Sequence, residues 1–168
     1  MNSQTLSVLE QTPGILRGML AGATPGQMAW RPAPDRWSIA MVLAHLADVE
    51  VKGFGQRFWA IVEQESPFLP FYDQLALFQP GAQFNGAEDL EKFAQRRKET
   101  LAWLKSLPDS VVERSGRHEE LGVITFGQLL NELALHDLGH IRQIAEIYRA
   151  QVFYPHIGAF QKYYKMNP

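Results

Sequence analysis

His136 and His140 are spaced four residues apart in a segment whose apolar residues repeat with a helical period. In an α-helix such residues lie about 40° apart around the axis and about 6 Å apart along it, so both imidazoles can bind one ion. Both also share a face with Leu129, Leu133 and Ile144, the face that should point into a helical core. The spacing therefore predicts two inward-facing metal ligands.

His45 offers a third imidazole from another helical segment, where Val42 and Val49 lie on the same face. A single inward histidine is most often hydrogen-bonded inside a core, but three together favour a metal site. Neutral imidazoles bind zinc, nickel and related ions, and three protein ligands are typical of an open, catalytic site. We predict that His45, His136 and His140 hold a divalent ion (Zn, Ni, Fe or Mn), with affinity falling below about pH 6.

Three other polar residues are candidates for chemistry. Glu132, one turn before the histidine pair, is a candidate fourth ligand or general base, and Gln143 could contact a bound water or substrate. The alternative for both is a solvated helix surface. Arg97 interrupts an apolar stripe, where an unpaired guanidinium would be costly. We expect it to pair with Glu50, Asp48 or Glu132, or to bind a substrate anion, unless only its stem packs and its charge reaches water.

The remaining candidates are weaker. Asp137 occupies the position of the glutamate base in HExxH metalloproteases, but it points about 100° away from His136. We expect it to support the ligands or to contact another helix, and not to act as a base. His118 and His156 are expected at the surface.

Four helical segments must position these residues, and their expected limits are up to about Gly22, Ser38 to about Glu63, about Ala87 to Ser106, and Thr125 to about Ala150. Ser38 is a good N-cap, and Thr125 with Gln128 makes a capping box. Thr12-Pro13 predicts either a kink in the first helix or its true start.

The connection between the second and third helices, about 64–86, is long and rich in aromatic residues and proline. Such a length predicts a segment that crosses a bundle or covers a site. Strand signals are weak, and at most Val111-Val112 and residues 122–124 could be extended. The expected fold is all-α, a four-helix bundle with one long crossover, in a single domain over residues 1–168.

Composition narrows the classes of function. The chain has no cysteine, which excludes disulfides, thiolate ligands and a cysteine nucleophile. A net charge of -2 gives no basic surface for nucleic acid, and no apolar run is long enough to span a bilayer. We expect a cytoplasmic protein that acts on a small molecule, with neither nucleic acid nor membrane as a partner.

Four short motifs resemble those of the DinB/YfiT-like superfamily. In chain order they are RWS at 36–38, HLADVE at 45–50, GVIT at 122–125 and HDLGHIRQI at 136–144. The resemblance implies a four-helix bundle that is often a homodimer, with a metal held by three histidines that map to His45, His136 and His140. It also implies a metal-dependent enzyme, a thiol-linked transferase, which we slightly favour, or a hydrolase. The alternative is a non-catalytic, stress-related metal-binding protein.

Overall fold

A computed structural model describes residues 1–166. Its helices are α1 (Ser3–Met19), α2 (Pro25–Ala29), α3 (Ile39–Val49), α4 (Gln56–Glu63), α5 (Gly86–Ser106) and α6 (Phe126–Val152). A π-helical segment, Glu50–Gly55, joins α3 to α4, so these form one long helix. The predicted four-helix bundle with a long crossover is confirmed. None of the described helices is long and apolar enough to cross a membrane.

The helix starts follow from the capping residues. The Ser38 hydroxyl accepts the amide N–H of Met41 at 3.2 Å, which begins the helix that carries His45. Thr125 and Gln128 form the predicted capping box at the start of α6. In α1 the helix begins at Ser3 and continues through Pro13. The alternative that α1 starts at Thr12-Pro13 is therefore wrong.

The π-helical segment keeps four residues buried that a regular α-helix would not keep on one side. Leu46, Glu50, Phe54 and Phe58 are all buried at a spacing of four residues. In an α-helix each such step turns the buried side by about 40°, so a regular helix would rotate the last of them out of the core. The wider turn of a π-helix takes up the extra residue and keeps all four inside.

A small sheet fastens the crossover to the bundle. Its strands, β1 (Phe68–Leu69), β2 (Ser115–His118) and β3 (Gly122–Thr125), lie in that order. β1 pairs in parallel with β2, and β2 pairs antiparallel with β3. The extended piece expected near residues 122–124 is confirmed. Val111 and Val112 instead lie in a 3-10 helix, Asp109–Glu113, so that expectation was wrong.

The core consists of two apolar clusters with a polar layer between them. Three helices each pass from one cluster through a buried polar residue to the other, in the orders Leu46–Glu50–Phe54, Phe93–Arg97–Leu101 and Leu133–Asp137–Ile144. The candidate histidines lie close to this layer along the chain, because His136 directly precedes Asp137 and His45 precedes Glu50 by five residues.

Candidate metal centre

The three predicted histidines converge. His45 reaches the centre from α3, and His136 and His140 reach it from α6. The Nε2 of His136 lies 3.1 Å from that of His45 and 3.2 Å from that of His140. All three candidate ligand atoms lie within 4.8 Å of one another, and they form a group that can hold a metal ion.

Burial keeps these imidazoles neutral. Burial, with a smaller contribution from the charge that a neighbouring histidine would carry, lowers the pKa of His45 to about 4 and that of His136 to about 3. Burial also lowers the pKa of His140. At pH 7 each ring therefore carries one nitrogen lone pair, the form that binds a metal.

Gln143 fixes the orientation of one ring. Its Oε1 lies 2.8 Å from Nδ1 of His140. Because a carbonyl oxygen can only accept, the proton of this imidazole is on Nδ1, and Nε2 faces the other histidines as a lone pair. The sequence offered Gln143 as a candidate contact for water or substrate, with a solvated helix surface as the alternative, and the structure places its Oε1 against the His140 ring.

Hydrogen bonds alone leave this cluster unsatisfied, which is the main reason to infer a cation. If Nε2 of His136 carries a proton, it can donate to only one of its two neighbours, and Nδ1 of His45 and of His136 are buried without a partner. A divalent ion would satisfy all three Nε2 lone pairs. Two nitrogens bound to one ion at about 2.0–2.1 Å stand about 3 to 3.4 Å apart, which agrees with the observed separations.

Aromatic rings enclose the histidines. The Trp37 ring lies 5.1 Å from that of His45 and is nearly parallel to that of His140, at 6.4 Å. Phe54 presents its ring to His136 at 5.4 Å, in an edge-to-face arrangement. These contacts of Trp37 and Phe54 restrict both the rotation of the imidazoles and the access of water.

A cleft of about 620 Å³ opens from the triad, and both His45 and His136 line it. Glu132 lines it as well, with part of its side chain open to solvent. Burial raises the pKa of the Glu132 carboxyl, and the charge of Arg57 opposes this rise. Glu132 is thus the titratable acid on the same helix as His136 that faces the cleft.

His118 also lines the cleft and is buried, so the expected surface position was wrong. Its Nδ1 accepts the amide N–H groups of Glu120 and Leu121, which draws the ring inward. His156 is exposed, as expected.

Arg97 lies in the polar layer with its side chain 1% exposed. Nε and Nη2 donate to the two Glu50 carboxylate oxygens at 2.9 and 2.7 Å. Nη1 and Nη2 donate to Asp137, and Nη1 also donates to the Leu9 carbonyl. All five N–H groups are thereby used. The expectation that Arg97 binds a substrate anion does not fit this arrangement, because no donor remains free.

Two of the three acids suggested for Arg97 do not contact it. Asp48 accepts from the Tyr72 hydroxyl and pairs with Lys52, and Glu132 faces the cleft. Asp137 was not among the suggested partners, although the expected contact with another helix is observed. Since Glu50 follows His45 on one helix and Asp137 follows His136 on the other, Arg97 ties together the two helices that carry the triad.

The chain is similar to the solved structure of YfiT from Bacillus subtilis, which is described as a probable metal-dependent hydrolase with an unusual four-helix bundle topology. The two are 23% identical and superpose with a TM-score of 0.79 over 89% of each chain, a likeness that shows the fold. No curated protein matches the sequence. Residues 8–144, which include the three histidines, match the DinB superfamily, and the chain belongs to that family.

Proposed function

We propose that this protein is a divalent-metal-dependent hydrolase of a small molecule bound in the cleft. The observation that carries the proposal is the triad itself, three neutral imidazoles whose Nε2 atoms converge at the wall of an open cavity. Three protein ligands beside an open cleft leave room for a substrate, as in catalytic sites. The similarity to YfiT, which is described as a probable metal-dependent hydrolase, supports the same class.

His45, His136 and His140 would hold the ion, and Gln143 would keep His140 in the binding tautomer. When bound, a divalent ion supplies Lewis-acid activation of the substrate and of a small nucleophile. Arg97 would keep the two ligand helices in register through Glu50 and Asp137. The Trp37 and Phe54 rings would limit water at the histidines to what enters through the cleft.

Glu132 is the proposed general base. Its carboxylate faces the cleft one helical turn from His136, and its raised pKa brings it closer to neutrality, where proton transfer in both directions is efficient. The carboxylate would accept a proton from the attacking water and return it to the leaving group. The nearby charge of Arg57 keeps Glu132 ionised before the reaction.

Thiol-linked transfer, which the family resemblance favoured, is the second candidate. The chain has no cysteine, so the thiol would have to enter as a co-substrate. Since the cleft is open, a small thiol could reach the triad. The same assay can separate the two reactions, because only transfer requires the added thiol.

The test begins with protein purified without a metal-affinity tag and loaded separately with Zn, Ni, Mn or Fe. The turnover of each form is measured on a panel of small esters and amides, with and without a low-molecular-weight thiol. We expect turnover without thiol, abolished in His136→Ala together with metal binding. Glu132→Gln should keep the metal and lose about 100-fold or more in turnover. The control is Glu146→Gln, which lies on the same helix and pairs with Arg149, and it should behave as wild type.

Turnover only with thiol would replace hydrolysis by transfer. Full metal loading without turnover on the panel would favour the non-catalytic alternative. Undiminished turnover in Glu132→Gln would remove the proposed base while leaving the metal site intact.

A further inference from the structure

Arg57 contributes a guanidinium to the cleft wall that the proposed mechanism uses only as a neighbouring charge. It is half-buried on α4, and one Nη2–H donates to the Pro70 carbonyl of the crossover at 2.9 Å. Among residues 1–166 no carboxylate lies within 4.0 Å of it, unlike Arg97. Burial lowers the pKa of Arg57, and this effect outweighs the attraction of Glu132 and Glu120. A neutral carbonyl thus orients a guanidinium that makes no direct ion pair, with the Glu132 and Glu120 carboxylates farther away.

His118 places a second donor in the same cleft. Its Nδ1 accepts two backbone N–H groups at 3.2 and 3.4 Å, so the ring proton is on Nε2. No protein acceptor for this Nε2–H is present in the described part of the chain. His118 is the register partner of Leu69, and Leu69 directly precedes Pro70, the residue that holds Arg57. The two donors therefore belong to the same end of the cleft.

This donor end is separated from the triad. Arg57 follows His45 by twelve residues, about three turns, on the continuous helix formed by α3, the π-helical segment and α4. Besides Glu132, the lining of the cleft includes the apolar side chains of Phe54, Ile124 and Leu129. A ligand in the cleft would therefore meet hydrogen-bond donors, apolar side chains and the histidines.

We infer that the substrate of the proposed hydrolase is a small carboxylate with an apolar body, anchored through its carboxylate by Arg57 and His118. The planar guanidinium fork matches a carboxylate with two parallel hydrogen bonds. Glu120 and Glu132 line the same cleft, so a dianion such as a phosphate monoester would meet more repulsion than a monoanion. The inference rests on the proposed function for the reaction, but the anchor itself can be tested without turnover.

The experiment compares hexanoate with its neutral amide, hexanamide, by titration calorimetry. Metal-free protein is used, because a bound ion could attract the carboxylate by itself. We expect hexanoate to bind more tightly than hexanamide, and Arg57→Gln to weaken hexanoate binding by about tenfold to a hundredfold while leaving hexanamide unchanged. His118→Phe should weaken hexanoate less, because it removes a neutral donor.

Two further variants serve as controls. Arg57→Lys keeps the charge without the fork and should recover part of the hexanoate affinity, which also covers the case in which Arg57→Gln folds poorly. Lys52→Gln removes one positive charge from the same long helix, next to Asp48 and outside this cleft, and should bind hexanoate as wild type does. Equal affinity for the two probes, or an equal loss in Lys52→Gln and Arg57→Gln, would overturn the inference. Neither result depends on whether the loaded protein hydrolyses anything.

Discussion

Gln143 and His140 are joined by a 2.8 Å hydrogen bond across three residues of α6. Gln143 lies on the same helix as His140, so their hydrogen bond does not depend on packing between helices. His45 and His136 have no such partner on Nδ1. Within the triad, His140 is therefore the ring whose tautomer the protein itself selects.

Replacing Gln143 should weaken metal binding without removing it. In Gln143→Leu the Nδ1–H of His140 loses its acceptor, and the binding tautomer is no longer favoured. We expect a tenfold to hundredfold loss in Zn affinity, the range found when the partners of metal ligands are removed. Competition with a chromophoric chelator measures it. Gln151→Leu, two turns further along α6, is the control, and an equal affinity in both variants would argue against the orienting role.

The metal-free protein should become less stable as the pH falls below about 6.5. An unfolded histidine takes up a proton near that pH, whereas His45 in the fold does so only at about 4. Between these values the unfolded state binds more protons, so the free energy of unfolding decreases as the pH decreases, by about 3 kcal/mol for His45. Denaturant titrations across this range measure it. Because burial lowers the pKa values of the histidines, we expect protons to compete with the metal only at a pH lower than the value of about 6 predicted from the sequence.

Variants separate this effect from ordinary acid denaturation. His45→Leu should remove the part of the pH dependence that His45 contributes. His156→Gln changes an exposed histidine and should leave the dependence as in wild type. Identical pH profiles for His45→Leu and wild type would show that His45 is not held neutral by burial.

Arg97→Leu should destabilise the fold strongly. The substitution keeps apolar bulk but leaves Glu50 and Asp137 buried without their cation, at a cost of about 3–5 kcal/mol. Arg17→Leu breaks an exposed pair with Glu91 and should cost less than about 1 kcal/mol. Urea denaturation of the metal-free variants compares them. Adding Glu50→Gln and Asp137→Asn to Arg97→Leu should restore part of the loss, and comparable costs for the two arginines would contradict a buried ion pair.

We propose that the protein is a homodimer in solution. Leu135 and Leu138 are 71% and 49% exposed one turn apart on α6, an apolar surface that a partner would cover. Light scattering should give about twice the chain mass of 19.1 kDa. Leu135→Glu with Leu138→Glu should give the single-chain mass, whereas Leu75→Glu, at an exposed leucine of the crossover, should not. A wild-type mass near 19 kDa at all concentrations would refute the dimer.

The parts of the fold that depend on local pattern were predictable. Ser38 and Thr125 mark the helix starts because their side chains cap amides only three residues away. The inward direction of the three histidines follows from helical periodicity alone, and it places them together once the helices pack. This is why the triad can be located from the sequence of this one chain.

The features that the sequence did not predict depend on packing between distant segments. β1 is two residues long and exists only because β2 lies beside it. Asp137 was not proposed as a partner of Arg97, because only the folded bundle lets the long arginine side chain reach from α5 across to α6. Arg57 resembles any surface arginine until the crossover and the sheet close a cleft around it. The four-residue spacing of Leu46, Glu50, Phe54 and Phe58 was a visible sign of the π-helical segment.

That segment limits how this protein can be engineered for heat resistance. Exchanging a helical glycine for alanine usually gains about 0.5–1 kcal/mol, but a Cβ at Gly55 would lie 2.8 Å from the Glu50 carbonyl oxygen and one at Gly53 2.5 Å from Cγ2 of Val49. Gly14 and Gly18 in α1 have no atom within 4 Å of an added Cβ, and alanine there should raise the melting temperature. A stabilised variant should therefore keep the glycines of the π-helical segment, whereas the glycines of α1 can be replaced.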